Sequence, residues 1–254
     1  MELHIISIFP EMFEAISDYG VVGRAIKQKK LNLTVHHLRD FTNDKHRTVD
    51  GRPYGGGPGM VMLVEPIMAA INHAKAVLEK NVEKSGVSKP KVVYLSPQGQ
   101  RFDHEAAKSF ATESAVIMLA GRYEGVDERV LQHCVDEEWS SGDYVLSGGE
   151  LPAMVMIDAI TRLLPGSLGN SESAEQDSFV SGLLDTAHYS RPEQLVIDGE
   201  PSAVPDVLLS GDHKAIAEWR MQQALGRTSL RRPDLLESLE LTAQQKVLLE
   251  KFKN

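Results

Sequence analysis

Short apolar runs alternate with polar loops and helical patterns over the first two thirds of the chain. The run LHIISIF, from Leu3 to Phe9, and the runs KVVYL and AVIMLA, which begin at Lys91 and Ala115, are typical of buried strands. The last two runs lead into the loops SPQG and GRYEG and then into helical patterns, for which Asp103 and Asp127 are candidate caps. Strand, loop and helix in this order predict an α/β fold with a mainly parallel sheet.

Two helices are predicted from their apolar positions. From about Pro66 an apolar stripe recurs at helical spacing and is expected to face the core; it is formed by Ile67, Ile71, Ala74 and Leu78. The segment AMVMIDAITRLLPG after Pro152 is apolar nearly all round, which is typical of a buried helix. Within it Asp158 and Arg162 are four residues apart and can pair on one face.

The sequence changes in character after this helix. Residues 166–178, GSLGNSESAEQDS, contain almost nothing to bury and predict a flexible linker. Beyond them the pattern is mostly helical, and TAQQ from Thr242 predicts a capping box at the start of the last helix. We therefore expect an α/β domain over residues 1–165, a linker over 166–178 and a small helical domain over 179–254.

Composition restricts the class of protein. The 254 residues are 42% hydrophobic, which is enough for a substantial core. The single cysteine, Cys134, excludes an internal disulfide framework and a cysteine-rich zinc site. The N-terminal segment has no cationic lead, and no apolar stretch approaches the roughly 20 residues that span a bilayer. A cytoplasmic protein without a membrane partner is expected.

Charge is segregated along the chain although the net charge is −9. Residues 24–52 hold eight basic and three acidic side chains, and residues 212–232 hold five and two. Residues 121–143 reverse the balance, with seven acidic and two basic side chains. This distribution favours a polyanion at the two basic segments and a neutral or cationic ligand in the middle; solvated faces that cluster without function are the alternative.

The glycine-rich segment GDYVLSGGELP, Gly142 to Pro152, is the most unusual loop of the acidic region. Ser147 stands where a Walker loop needs its second glycine, no lysine follows, and the dinucleotide glycine spacing is missing as well. A ligand held by backbone groups, or a tight turn before a helix, explains the glycines. Because ligands bind beyond the carboxyl ends of parallel strands, SPQG, GRYEG and this segment are expected to form one pocket. The residues by themselves leave the reaction open.

Five blocks of sequence resemble the bacterial tRNA (guanine-N(1)-)-methyltransferases, the TrmD family. They are YGGGPGM (Tyr54–Met60), YLSPQGQ (Tyr94–Gln100), GRYEGVDERV (Gly121–Val130), DEEWSSGDYVLSGGELPA (Asp136–Ala153) and RPDLLE (Arg232–Glu237). The resemblance covers nearly the whole chain. It implies a SPOUT-type α/β fold whose mainly parallel sheet carries a deep trefoil knot, a small helical C-terminal domain, and a homodimer with active sites shared between subunits.

The resemblance implies S-adenosylmethionine as methyl donor and tRNA as substrate, with transfer to ring nitrogen 1 of the guanosine 3′ of the anticodon (position 37), a modification that supports reading-frame maintenance. The donor-binding residues that it implies are Tyr94, Leu95, Ser96, Pro97, Gly121, Glu124, Gly125, Ser141, Gly142, Asp143, Tyr144, Val145, Leu146, Gly148, Gly149 and Pro152. The family is also reported to depend on a divalent metal such as Mg²⁺, for which the sequence offers no dedicated ligand cluster.

The resemblance further implies that Asp177 is the general base and that Arg162 stabilises negative charge on guanine O6. Position alone favours a helix N-cap for Asp177 and an ion pair with Asp158 for Arg162. The tRNA-binding residues implied are His46, Arg47, Asp50, Tyr54, Gly55, Gly59, Lys214, Arg220, Arg227, Arg231 and Arg232.

Three positions depart from the family pattern. Ser141 stands where isoleucine is frequent, Ala187 where proline is usual, and Ser229 where tryptophan is common. Two other functions are weighed against the methylation of guanine: a knotted methyltransferase that acts on a ribose 2′-hydroxyl, and an RNA-binding module without catalysis. The ribose methyltransferase would need no base-recognising carboxylate on a mobile linker, and the binding module would not need Asp177, Arg162 and all three loops together.

Overall fold

The computed structural model describes residues 1–82, 89–168 and 177–253. The chain divides into two compact units, Met1–Gly169 and Asn170–Asn254. Most of the predicted linker, residues 169–176, lies outside the described residues. In the described part of the chain, no helix is long and apolar enough to cross a membrane.

The first unit contains a five-stranded sheet and six α-helices in the part of the chain that is described. Its strands are β1 (Glu2–Ser7), β2 (Asn32–His37), β3 (Asp50–Gly51), β4 (Val61–Met62), β5 (Lys91–Arg101), β6 (Ala115–Ala120) and β7 (Glu137–Ser140). Its helices are α1 (Glu14–Ser17), α2 (Gly20–Lys27), α3 (Val64–Val82), α4 (His104–Ala111), α5 (Glu128–Cys134) and α6 (Glu150–Leu163), with short 3₁₀ turns at Pro10–Phe13 and Leu38–Phe41.

The strands of the large sheet run in the order β2–β1–β6–β5–β7, and all four pairings are parallel. Leu3 of β1, for example, lies opposite Leu33 on one side and Val116 on the other. The short strands β3 and β4 pair separately and antiparallel. The prediction of an α/β fold with a mainly parallel sheet is confirmed.

Each face of the sheet is covered by an apolar cluster, as expected for parallel strands that are buried on both sides. Along β6, Ile117 and Leu119 belong to the cluster under α3, whereas Val116 and Met118 belong to the cluster under α4 and α6. All six residues of β6 are buried. The predicted stripe of α3 is confirmed, since Ile67, Ile71, Ala74 and Leu78 are all buried in the first cluster.

Local capping signals are confirmed where they were predicted. The Asp103 carboxylate accepts a hydrogen bond from the backbone N–H of Ala106 at 2.9 Å, and Asp127 accepts one from Arg129 at 3.0 Å. The SPQG segment departs from its prediction as a simple loop. Strand β5 continues to Arg101, with a register irregularity between Leu95 and Gln100 where it pairs with β7.

The second unit contains helices α7 (Asp206–Leu209), α8 (His213–Arg231), α9 (Pro233–Glu237) and α10 (Ala243–Lys253). It also contains a hairpin that the sequence analysis missed, β8 (Gln194–Ile197) and β9 (Glu200–Ala203), turned at Asp198 and Gly199. Both turn residues have positive φ, 54° and 84°, as a type I′ hairpin turn requires. At the start of α10 the predicted capping box is formed, with reciprocal hydrogen bonds between Thr242 and Gln245.

Candidate functional site

A cavity of about 540 Å³ lies at the carboxyl ends of β6 and β7, beside the irregular part of β5. Its volume is in the range of small-molecule sites. Fourteen residues predicted to bind the methyl donor line it: Tyr94, Leu95, Ser96, Pro97, Gly121, Glu124, Gly125, Ser141, Tyr144, Val145, Leu146, Gly148, Gly149 and Pro152. The structure therefore brings the three loops of the prediction together around one space.

Gly142 and Asp143 were also predicted to bind the donor, but they are not part of the cavity lining. Gly142 instead shapes the segment beside the cavity, since its φ is +147° and a Cβ atom there would lie 2.6 Å from the ring of Tyr144. Ser140 fixes the same turn, because its hydroxyl group bonds both to the Gly142 N–H and to the Gly142 carbonyl. Asp143 is exposed.

The first loop is shaped by the close approach of β5 and β7. A Cβ atom on Gly99 would lie 2.3 Å from the backbone nitrogen of Trp139, so only glycine fits there. The Ser96 hydroxyl accepts a hydrogen bond from the Gln98 N–H at 3.1 Å, within the irregular part of β5. Burial raises the pKa of the Tyr94 phenol, and the nearby Glu138 carboxylate raises it further. Tyr94 is therefore neutral at physiological pH.

The second loop, Gly121–Gly125, turns sharply at Tyr123 (φ 61°) and Gly125 (φ 118°). The backbone N–H of Gly149 donates to the Gly121 carbonyl at 2.8 Å, which joins the second loop to the third. A Cβ atom on Gly149 would lie 2.8 Å from the Cα of Ala120, so the third loop passes directly over the end of β6. The two loops thus form one continuous wall.

The charge of the cavity is mainly negative. Three carboxylates, those of Glu124, Glu128 and Glu138, belong to its lining, whereas Arg122 is the one cation among the described lining residues. The Arg122 guanidinium is paired with the buried Glu150, 2.8 Å from Nε to Oε2. Such a site suits a cationic ligand better than a phosphate. Arg122, Glu128 and Glu138 were missed as site residues, although the acidic composition of residues 121–143 was the signal.

The predicted target-binding loop lies against the second cavity loop. The backbone N–H of Glu124 donates to the Met60 carbonyl at 2.9 Å, and the Met62 N–H donates to Gly125 at the same distance. The Tyr123 phenol is hydrogen-bonded to Asp50; burial, then the Asp50 charge, raises the pKa of this phenol. Of the other predicted residues of this loop, His46, Tyr54, Gly55 and Gly59 are exposed, and Tyr54 is 99% exposed.

Arg47 is engaged within the protein. Its guanidinium forms an ion pair with Asp40 and donates to the Arg39 carbonyl at 3.1 Å. Its φ is 54°, a left-handed conformation that is uncommon for a residue other than glycine. The loop around it is therefore held in a defined shape.

The two predicted catalytic residues lie in different units. Arg162 is half-buried in the last turn of α6, and Asp177 is half-buried at the start of the described part of the second unit. The alternative role of Asp177 as a helix N-cap is wrong, since residues 177–183 form turns and bends.

Most of the basic residues predicted to bind tRNA in the second unit lie on α8. Arg220, Arg227 and Arg231 follow a spacing of seven and four residues, which places them on one face of the helix. Lys214 lies in the first turn of the same helix on another side. Arg232, which follows the last residue of the helix, forms a two-point ion pair with Asp234. Arg220 also lines a second cavity of about 910 Å³, together with Ala187.

The remaining departures have local roles. Ser141 belongs to the lining of the first cavity. Ser229 donates to the Gly226 carbonyl within α8 at 2.8 Å. Among residues 1–82, 89–168 and 177–253, no group of three or more His, Cys, Asp or Glu side chains is arranged to hold a metal ion.

Comparison with known proteins identifies the family. Residues 1–238 match the family model described as tRNA (Guanine-1)-methyltransferase TrmD. The chain is 58% identical over 252 residues to the tRNA (guanine-N(1)-)-methyltransferase of Proteus mirabilis, covering 99% of this chain and 96% of that protein. It is 56% identical to that of Idiomarina loihiensis, covering 99% and 95%, and 57% identical to that of Actinobacillus pleuropneumoniae, covering 100% and 98%. The chain belongs to the tRNA (guanine-1)-methyltransferase TrmD family.

Proposed function

We propose that the protein transfers the methyl group of S-adenosylmethionine to ring nitrogen 1 of guanosine 37, the nucleotide 3′ of the anticodon in tRNA. Two relatives named tRNA (guanine-N(1)-)-methyltransferase are similar to this chain over nearly their whole length. The observation that carries the proposal is the three-loop cavity, whose lining has three carboxylates and, among its described residues, no lysine. In the cell the modification would support reading-frame maintenance in the cytoplasm.

The residues of the cavity fit the proposed donor. S-adenosylmethionine supplies an electrophilic methyl group on a sulfonium cation and carries no phosphate, in agreement with the negative charge of the lining. The backbone can approach a ligand closely at Gly121, Gly148 and Gly149, because these positions carry no side chain. Tyr94, Ser96 and Tyr144 supply polar groups at the wall. Most of the predicted donor-binding residues therefore line a single space of suitable size and charge.

The acceptor must lose a proton before it can react. Guanine nitrogen 1 carries a hydrogen and is a weak nucleophile until that proton is removed. We assign the proton transfer to Asp177 and the stabilisation of developing charge on guanine O6 to Arg162. A carboxylate is a weak base in water, so the bound tRNA must exclude solvent from the site.

We propose that two subunits assemble to complete the site. In this homodimer Asp177 of one subunit completes the site of the other, and a linker over residues 166–178 joins the two proposed domains. The proposal also includes the deep trefoil knot of SPOUT enzymes in domain 1–165 and a tRNA-binding helical domain over 179–254. No step is assigned to Mg²⁺.

The tRNA is proposed to contact both units. Asp50, His46, Arg47 and the loop Tyr54–Gly59 face the target guanosine and its 5′ neighbour. The arginine face of α8 binds backbone phosphates, which position the tRNA without reading its sequence. Because guanosine 37 lies in a single-stranded loop, turning it outward requires less energy than in a duplex.

The test is methyl transfer from labelled S-adenosylmethionine to an unmodified tRNA transcript with guanosine at positions 36 and 37. A matched transcript has adenosine at position 37. We expect label on the first transcript alone, recovered as 1-methylguanosine after digestion. Recovery of a 2′-O-methylated nucleoside instead would favour the ribose methyltransferase, and absence of label despite donor and tRNA binding would favour an RNA-binding module.

The roles of the two residues are tested separately. Asp177→Asn is expected to lower the rate of transfer by about 10²–10⁴-fold with tRNA binding retained. Asp198→Asn, in the exposed hairpin turn of the same unit, is the matched control, since asparagine tolerates the left-handed backbone of that turn. Undiminished transfer by Asp177→Asn would refute its role as base.

A further inference from the structure

An ion pair at the wall of the cavity joins the partly buried Arg122 and the buried Glu150. Glu150 is the first residue of α6 and is fully buried, and its Oε2 accepts a hydrogen bond from Arg122 Nε at 2.8 Å. Its other oxygen accepts a hydrogen bond from the Ser7 hydroxyl at 2.7 Å. Both oxygens of the carboxylate are therefore satisfied, as a buried charge requires.

The Arg122 guanidinium makes further contacts, one of them with the Met12 sulfur at 3.5 Å. One terminal nitrogen donates to the Ser147 carbonyl at 3.1 Å, within the glycine-rich segment that precedes α6. The guanidinium carbon lies 4.6 Å from the centre of the Phe9 ring, in a cation–π arrangement. Three segments that are distant in sequence thus meet at one side chain: the end of β1, the loop after β6 and the turn before α6.

The backbone follows the same arrangement. Arg122 and Gly148 form an isolated antiparallel bridge. A Cβ atom on Gly148 would lie 2.2 Å from Arg122 Nε and 2.6 Å from the Glu150 carboxylate, so the glycine leaves room for the ion pair. Neither Arg122 nor Glu150 was predicted as a site residue.

We propose that Arg122 is a positioning residue for the methyl donor: paired with Glu150, it holds Ser147–Gly149 at the distance from Gly121 that the donor requires. This inference rests on the proposed function of the cavity. A wall that is already in place lowers the ordering cost of ligand binding, so the pair contributes to donor affinity without touching the reacting atoms. The pairing also cancels the charge of Arg122, which leaves the cavity negative for a sulfonium cation.

The test compares Arg122→Lys, Glu150→Gln and the double variant with the wild type. Lysine keeps the charge, but its single ammonium group cannot reproduce the planar fork that reaches Glu150 and Ser147 together. Glutamine keeps the shape of Glu150 but replaces one acceptor oxygen with a donor group. Lys108→Gln, which removes an exposed ion pair with Glu105 on α4, is the control.

Donor binding is measured by calorimetry with S-adenosylmethionine, and the donor KM, tRNA KM and kcat are measured separately. We expect Arg122→Lys and Glu150→Gln each to raise the donor Kd and donor KM about tenfold or more, with tRNA KM and kcat at saturating donor within about threefold. The double variant is expected to be little worse than either single variant, because the two residues act as one unit. Lys108→Gln is expected to behave as the wild type.

Two results would overturn the inference. The first is an unchanged donor Kd in variants whose thermal unfolding is normal. The second is a lower kcat and a lower number of active sites with unchanged donor KM, which is the result of a merely structural role. If Arg122→Lys does not fold, the same measurements on Glu150→Gln and Ser7→Ala test the inference. Failure of the wild type to bind S-adenosylmethionine would instead reject the proposed function.

Discussion

Gly121 lies directly against the ring of Tyr94: a Cβ atom on Gly121 would be 2.7 Å from Tyr94 Cε2 and 2.8 Å from the phenol oxygen. Tyr94 is 7% exposed and packs in the core cluster under α3. The end of β6 therefore fits against β5 only because residue 121 has no side chain. This contact defines the position of the loop after β6 relative to β5, and both line the cavity.

The substitution Gly121→Ala is expected to weaken donor binding at least tenfold, because the added methyl group must displace the Tyr94 ring or the loop after β6. Overpacking of this kind costs about 1–3 kcal/mol of stability. Calorimetry with S-adenosylmethionine and thermal unfolding of the same sample measure the two effects. A donor affinity within twofold of the wild type would show that the Gly121–Tyr94 contact does not shape the donor site.

A second glycine, Gly59, lies between the cavity and the loop that is predicted to bind the target. Gly59 has a φ of +84°, and a Cβ atom there would lie 2.3 Å from the Glu124 carboxylate. We expect Gly59→Ala to raise both the donor KM and the tRNA KM, since it strains the loop and displaces a carboxylate of the cavity lining. Steady-state kinetics with each substrate varied in turn measure this.

The control for that prediction is Gly56→Ala. Gly56 has a similar φ, +77°, but a Cβ atom there meets no other atom within 4 Å. It therefore reproduces the backbone strain without the contact with Glu124. Equal donor KM values for the two variants would show that the Glu124 contact has no effect on donor binding.

The stability of the first unit is expected to fall in mild acid because of a buried histidine. His4 of β1 is 1% exposed, its Nδ1 lies 2.9 Å from His36 Nε2 on β2, and the His36 ring lies 5.5 Å from that of His73 on α3. Burial, with the neighbouring histidines, lowers the pKa of His4 from 6.5 to about 4. Burial also lowers the pKa of His36.

Because the folded pKa of His4 is the lower one, the unfolded chain binds more protons between pH 6.5 and 4. The stability from neutral His4 is complete above pH 6.5 and is lost as the pH falls through this window. We expect the free energy of unfolding in urea to fall by on the order of 2 kcal/mol from pH 7.5 to pH 5. His4→Asn keeps a polar atom near His36 Nε2 and should reduce the fall; an equal fall in this variant would exclude His4 as its origin.

Much of the first unit follows from local sequence. Burial on both faces of the sheet gives short apolar runs, which predict the strands β1, β5 and β6. A helix with one buried face has apolar residues at helical spacing, which predict α3. The hairpin was missed although Asp198–Gly199 is a typical type I′ turn pair, because the surrounding pattern was interpreted as helical. The incorrect assignment of the flanking residues to helices thus prevented the prediction of the hairpin.

The candidate site, like the fold, was predicted from the sequence only in part. The three loops were predicted because each follows or precedes an apolar run at the same edge of a parallel sheet. The pair Arg122–Glu150 was not predicted. An acidic residue is common in the first turn of a helix, so Glu150 does not stand out in the sequence. Its hydrogen-bond partner Ser7 lies 143 positions away along the chain. Periodicity and composition do not report such long-range contacts.

The last prediction concerns the second unit. Gly226 is buried in α8, and a Cβ atom there would lie 2.2 Å from the Phe252 ring of α10. Since the clash is with a packed aromatic ring, Gly226→Ala should separate α8 from α10 and destabilise the apolar cluster around Leu225 and Leu248. The variant is expected to lose most tRNA affinity, because the arginine face of α8 is no longer held in place.

Donor binding should survive that substitution, because the cavity is formed by residues of Met1–Gly169 alone. Calorimetry with S-adenosylmethionine, filter binding of tRNA and limited proteolysis of residues 179–254 measure the three effects on one preparation. Gly199→Ala is the control, since a Cβ atom there meets no other atom within 4 Å and the residue lies in the hairpin turn. Normal tRNA affinity in a Gly226→Ala protein whose second unit is cleaved would contradict the role assigned to α8. Loss of donor binding together with tRNA binding would show instead that the two units fold as one.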